Sequence, residues 1–130
     1  MNTTQIGTIT EQKFILYCLE NEIPISQPIG NNLPYDFIIE FNNKLLKIQV
    51  KTARKGETEG TITFNTRSCS KNYSEVTTSN YLGKIDYFAT CWDNKWLFIP
   101  IEGASKGEHR ICMHDNPKSN QHYYKDYILF

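Results

Sequence analysis

Residues 34–53 read Pro34-Tyr35-Asp36-Phe37-Ile38-Ile39-Glu40-Phe41-Asn42-Asn43-Lys44-Leu45-Leu46-Lys47-Ile48-Gln49-Val50-Lys51-Thr52-Ala53, two alternating runs joined by an Asn pair. Alternation with period two marks a half-buried strand, and Asn tolerates the positive φ that a type I′ turn requires of both central residues. The stretch therefore predicts a hairpin of residues 35–41 and 44–53. A two-residue turn also fixes the register, so paired positions sum to 85 and Asp36 faces Gln49. Tyr35, Phe37, Ile39 and Phe41 then share an apolar face with Leu46, Ile48 and Val50, while Asp36 and Glu40 share the other face with Lys47, Gln49 and Lys51. A carboxylate, an amide oxygen and an ammonium placed together suit a hard divalent cation with a lysine beside it. Such a cation lowers the pKa of a bound water and neutralises charge on phosphoryl oxygens.

Upstream of the hairpin, Thr8-Ile9-Thr10-Glu11 has the form of a capping box and precedes Phe14, Ile15, Tyr17, Cys18 and Leu19, which predicts a helix over about 9–21. Pro24, Pro28 and Gly30-Asn31-Asn32 break the pattern, leaving 23–29 as a short edge strand or extended connector. Downstream, residues 61–66 read as a third strand, and 67–84, rich in Ser, Thr and Asn, as a loop with one helical turn. Residues 85–92 and 95–101 form a second hairpin around Asp93-Asn94. Residues 104–109 read as loop, 110–114 as a short strand, and 121–130 as either helix or strand. The fold class is α+β, one helix packed on a mainly antiparallel sheet.

A chain of 130 residues and 15.2 kDa fits one domain, here 1–130. A mean hydropathy of -0.51 with 22% charged residues excludes a disordered or fibrous chain. The longest apolar run, 14–19, is far shorter than the roughly 20 residues a bilayer span needs, and residues 1–10 lack the pattern of a secretion signal. A cytoplasmic protein without membrane contact is expected. Cys18, Cys69, Cys91 and Cys112 are widely spaced and suggest no disulfide framework. His109, Cys112, His114 and His122 match no zinc spacing. Net charge is zero but unevenly distributed: residues 44–84 carry eight Lys or Arg against three acids, a local charge of +5, whereas 1–43 carry -4 and 85–130 carry -1. A basic middle third fits a nucleic-acid contact surface.

Pro34-Tyr35-Asp36 followed by Gln49-Val50-Lys51 across a hairpin, with Glu11 on a preceding helix, resembles the core of the PD-(D/E)xK endonucleases. The likeness is greatest to the group I intron-associated homing endonucleases, whose second strand resembles Ile48-Gln49-Val50-Lys51-Thr52-Ala53 here. It covers residues 5–66 well and extends loosely to 85–101 through Ile85-Asp86-Tyr87-Phe88-Ala89. The resemblance implies a restriction-endonuclease-like fold, with the helix packed on a mainly antiparallel mixed sheet, and metal-dependent hydrolysis of DNA phosphodiester bonds. It implies Asp36 as the central metal-binding carboxylate, Gln49 as a ligand where most of the superfamily has an acid, Lys51 as the catalytic lysine and Glu11 as a further metal-proximal acid. For Glu11, a helix-capping role competes with the metal role. The implied cofactor is Mg²⁺, with Mn²⁺ as a substitute.

Double-stranded DNA is the expected partner. Lys51, Arg54, Lys55, Thr61, Thr63, Asn65, Arg67 and Lys71 are candidate contacts, with strands 44–53 and 61–66 forming a ribbon across the 56–60 turn. One site per chain implies a homo-oligomer, dimer or tetramer, for cutting both strands. A Holliday-junction resolvase or a restriction endonuclease would share this core, and a catalytically silent DNA-binding module is the non-enzymatic alternative.

Overall fold

The computed structural model of the chain describes residues 1–30, 32–71, 76–79 and 81–129, with 68–71 and 76–79 described by their backbone alone. The helix, α1, runs over Thr3–Glu20 and starts earlier than the sequence predicts. Its capping box is Asn2 with Gln5: the Asn2 side chain accepts from the Gln5 N–H at 2.9 Å, and the Gln5 side chain accepts from the Asn2 N–H at 3.0 Å. Thr8 and Thr10 lie inside the helix and donate their hydroxyls to the carbonyls of Thr4 and Ile6, each at 3.0 Å. Glu11 is therefore released from any capping duty. The helix ends in a Schellman arrangement, Ile23 N–H to Cys18 O at 2.8 Å and Glu22 N–H to Leu19 O at 3.3 Å, with Glu22 left-handed at φ 56°.

A short edge strand, β1 (Ile25–Ser26), pairs with β2 (Phe37–Phe41), which turns through Asn42 and Asn43 into β3 (Lys44–Val50). Both turn residues are left-handed, at φ 51° and 60°, and Phe37 lies opposite Ile48 and Phe41 opposite Lys44, the register the sequence predicts. After β3 come β4 (Arg54–Lys55), β5 (Thr61–Asn65), β6 (Ser68–Lys71), β7 (Val76–Ser79), β8 (Tyr87–Trp92), β9 (Lys95–Pro100) and β10 (Glu108–Cys112). The second hairpin, β8–β9, turns at Asp93 and Asn94 with φ 51° and 60°. The main sheet is mixed, in the order β1-β2-β3-β8-β9, with β3 and β8 parallel. A smaller sheet has the order β10-β5-β4, and β6 pairs with β7, so the segment predicted as loop contains a two-stranded ribbon. The final segment forms a 3-10 turn at Tyr124–Tyr127 rather than a regular helix or strand; Phe130 lies outside the described residues.

Alternation along β8 and β9 divides the interior into two cores. Ala89, Trp96 and Phe98 join Phe14, Cys18, Phe37, Ile39, Ile48 and Val50 beneath α1. Phe88, Leu97 and Ile99 join Ile62, Phe64, Ile85 and Ile111 beneath the smaller sheet. The face of the main sheet opposite α1 is thus polar only at the first hairpin and becomes a second core further along. Tyr35, expected beside Phe37, packs against that second core instead. Among the described residues no helix is long and apolar enough to cross a membrane.

Candidate active site

Asp36 stands one residue before β2, at the open mouth of the hairpin. Its N–H donates to the Ile48 carbonyl at 2.8 Å, and its carboxylate accepts from the Val50 N–H at 2.8 Å. The β2–β3 ladder begins at Phe37 and Ile48, so the expected Asp36–Gln49 pair does not form as a ladder pair. The reason lies in β3, which leaves β2 at this point and passes to β8, where Lys51 N–H donates to Ala89 O at 2.9 Å. The Val50 N–H then needs another acceptor, and the Asp36 side chain supplies it. This locks the carboxylate at the end of the strand.

Glu11 projects from α1 into the same cleft as Asp36. A hydroxyl pair sets the helix against the strand beside it: Thr10 and Thr52 Oγ1 atoms are 2.9 Å apart. Burial pushes the Glu11 carboxyl above its ordinary value, and the charge of Asp36 and their shared hydrogen bond push the same way. Burial also raises Asp36, opposed by the Val50 N–H, by the hydrogen bond from Glu11 and by the Lys51 ammonium. Glu11 and Asp36 line a cleft of about 240 Å³ with Gln27, Pro28, Asn32 and Tyr35.

Lys51 continues from β3, half-buried; its backbone carbonyl accepts from the Thr90 hydroxyl at 2.8 Å. Its Nζ donates to the Tyr81 hydroxyl at 3.0 Å and to the Arg67 carbonyl at 3.3 Å. Gln49 is half-buried, in register with Phe88 on the parallel neighbour, and its Nε2 makes a long contact of 3.5 Å with the Val50 carbonyl. The structure thus brings the Glu11 and Asp36 carboxyls together within the field of the Lys51 charge, with Gln49 between Ile48 and Val50 on the same strand. Thr10, Thr52 and Tyr81 were not legible as site residues, because each acts through a partner distant in the chain.

The candidate DNA contacts are distributed differently from expectation. The expected ribbon of 44–53 with 61–66 does not form, because β3 pairs with β2 and β8 instead; across the 56–60 turn only Arg54 and Lys55 pair with β5, opposite Thr63 and Ile62. Thr61 and Thr63 are 7% and 6% exposed, which removes them from any reading face. The physical reason is that β5 is buried on both faces, with Thr61, Ile62, Thr63 and Phe64 all enclosed. Asn65 and Arg67 are exposed, as is Lys55. The Arg54 guanidinium is engaged by the Glu108 carboxylate and by Asn65 Oδ1. The Lys71 side chain lies outside the described residues. His109 is fully buried, with Nδ1 accepting from the Ser105 N–H at 3.0 Å and Nε2 3.1 Å from the Tyr127 hydroxyl. His109 stacks on His122 with ring centroids 4.2 Å apart, and burial lowers its pKa to about 4, aided by His122. These histidines knit the C-terminal segment to β10. Among the described residues, no group of three His, Cys, Asp or Glu side chains is placed to hold a metal.

No protein with a curated description matches the chain. Among solved structures the fold is similar to that of a bacterial homing endonuclease, I-Ssp6803I, with a TM-score of 0.80 and 22% sequence identity over 98% of this chain and 88% of that one. The family described as PD-(D/E)XK endonuclease matches over residues 1–127. With the helix, the Tyr35-Asp36 turn into β2 and the Gln49-Val50-Lys51 end of β3 all inside the matched span, this chain belongs to the PD-(D/E)XK endonuclease family.

Proposed function

We propose that this protein is a site-specific, Mg²⁺-dependent endonuclease of the homing type, acting on double-stranded DNA, with Asp36 and Glu11 as carboxylate ligands, Gln49 as a neutral ligand and Lys51 as the catalytic lysine. The observation that carries the reading is the convergence of two carboxyls from separate elements, α1 and the mouth of β2, on one cleft, with the positive charge of Lys51 acting on Asp36. Two partly buried carboxyls lining one cleft repel when both are ionised, and a divalent cation relieves that repulsion. The donor set of two carboxylates and an amide oxygen is all-oxygen, which fits Mg²⁺ or Mn²⁺ rather than zinc. When bound, the cation would supply an activated water and neutralise charge on the scissile phosphate. Asp36 is held for this task by the Val50 N–H, and Glu11 by the Thr10–Thr52 link. Lys51 then provides a fixed positive charge toward the phosphoryl oxygens as they gain charge.

The likeness to a homing endonuclease fold supports the homing type. One site per chain supports a symmetric homo-oligomer, since two strands require two cuts. The test is incubation with a library of randomised duplexes and Mg²⁺, followed by sequencing of the cut ends: cleavage at one sequence supports the reading. Binding without cleavage would favour a silent DNA-binding module, and cleavage only of branched DNA a resolvase.

The metal assignment has a readout apart from cleavage. A cation that binds the folded chain stabilises it by mass action, so Mg²⁺ is expected to raise the melting temperature of the wild-type protein. Gln49→Ala should reduce that increment and Gln49→Glu should retain or enlarge it, as calorimetry over a Mg²⁺ titration would reveal. An unchanged increment in Gln49→Ala would make the amide a bystander.

For the DNA surface, Lys55 and Arg54 should differ. Lys55→Ala is expected to flatten the salt dependence of binding by about one unit of log–log slope, without altering sequence preference. Arg54→Ala should have a smaller effect, because Glu108 already neutralises the guanidinium. Binding titrations at several salt concentrations check both, and equal slopes for the two variants would contradict this placement.

A further inference from the structure

The Lys51 ammonium is held by groups outside both strands of the carboxylate and lysine motif. Nζ lies 3.0 Å from the Tyr81 hydroxyl, 3.3 Å from the Arg67 carbonyl and 4.8 Å from the centroid of the Tyr81 ring. Tyr81 is 6% exposed and meets Phe88 edge-on, with ring centroids 5.3 Å apart and an interplanar angle of 88°. Phe88 in turn lies in register beside Gln49. Arg67 precedes β6 and Tyr81 follows β7, so both oxygens that receive the ammonium belong to the two ends of one hairpin.

A lysine side chain is a point charge on a flexible four-carbon stem, and unrestrained it samples many rotamers. Two oxygen acceptors and an aromatic face on one side select a single placement. We propose that Tyr81 is a positioning residue of this endonuclease: its hydroxyl, together with the Arg67 carbonyl, seats the Lys51 ammonium in the site, so that the ends of the β6–β7 hairpin determine where the lysine acts. The inference rests on the reading of Lys51 as the catalytic lysine. A residue whose role was only to fill the second core would need its ring and not its hydroxyl. Tyr81 has both, and the hydroxyl is directed at the ammonium.

Tyr81→Phe separates these contributions, because it keeps the ring over Lys51 and against Phe88 and removes one oxygen. Single-turnover cleavage of the target duplex by this variant is expected to fall about tenfold, the scale of one hydrogen bond to a charged group. The dissociation constant for DNA should stay within about twofold of wild type. A wild-type cleavage rate, or a loss confined to DNA affinity, would overturn the proposal. A second measurement does not depend on cleavage: unfolding of Lys51→Met, Tyr81→Phe and the double variant forms a cycle in which the hydroxyl and the ammonium should be coupled, and strictly additive stabilities would show that Tyr81 does not hold the lysine. If Lys51→Met cleaves normally, the assignment of the lysine fails, while the stability cycle still reports on the seat itself.

Discussion

Asp36→Asn is expected to lower the cleavage rate by on the order of 10³-fold or more while leaving the fold and most of the DNA affinity intact. The amide keeps the shape of the side chain, and its oxygen can still accept from the Val50 N–H, now 2.8 Å from the carboxylate. What disappears is the negative charge beside Glu11, and with it the principal attraction for a divalent cation. The metal-free protein should not lose stability. Both carboxyls sit above their ordinary values, so the folded chain binds protons more readily than the unfolded one. Their contribution to stability is therefore present at low pH and is lost as pH rises through the raised values. Removing one of them relieves that penalty near neutrality. Melting curves with and without Mg²⁺, beside cleavage assays, test the whole expectation: the variant should melt at or above the wild type without metal and show little Mg²⁺-dependent rise. Normal cutting by Asp36→Asn would reject the mechanism.

Phe14→Ala should cost about 3–5 kcal/mol, a large share of the roughly 5–15 kcal/mol that holds a domain together. Phe14 is fully buried, and its ring meets Trp96 at 5.1 Å, Phe37 at 5.6 Å and Phe98 at 6.1 Å between centroids. These partners come from β2 and both ends of the β9 core face, so no single element can close over the cavity. The loss would also reach the site, because Glu11 stands one helical turn before Phe14 and depends on the docking of α1 for its contact with Asp36. Chemical denaturation gives the magnitude. A loss below about 1 kcal/mol would mean that α1 is docked mainly by other contacts, Cys18 and Ile23 among them.

The elements that were legible in the sequence are those whose signal is local. Both Asn42-Asn43 and Asp93-Asn94 announce two-residue turns, because few other residues accept positive φ at consecutive positions, and a two-residue turn leaves no freedom in register. The Asp36, Gln49 and Lys51 positions followed from that register together with a family resemblance. The start of α1 is not legible locally because both Asn2-x-x-Gln5 and Thr8-x-x-Glu11 have capping chemistry, and what favours the earlier start includes a contact far along the chain, the Thr10–Thr52 bond across 42 residues. The β6–β7 ribbon was missed because its residues, rich in Ser and Thr, carry no apolar alternation.

By itself, then, the sequence determined the two hairpins, their registers, the presence of a helix before them and the residue types available for metal and phosphate chemistry, all of which depend on neighbours a few positions apart. Only the tertiary structure decided that Glu11 shares a cleft with Asp36 instead of capping a helix, that Asp36 serves Val50 and not a ladder partner, and that Thr61 and Thr63 lie in a strand buried on both faces. Tyr81 and Arg67 reach Lys51 for the same reason: the contacts join segments far apart in the chain. Periodicity and turn chemistry describe one segment at a time, whereas the charge, burial and partners of a side chain are set by whichever other segments pack against it.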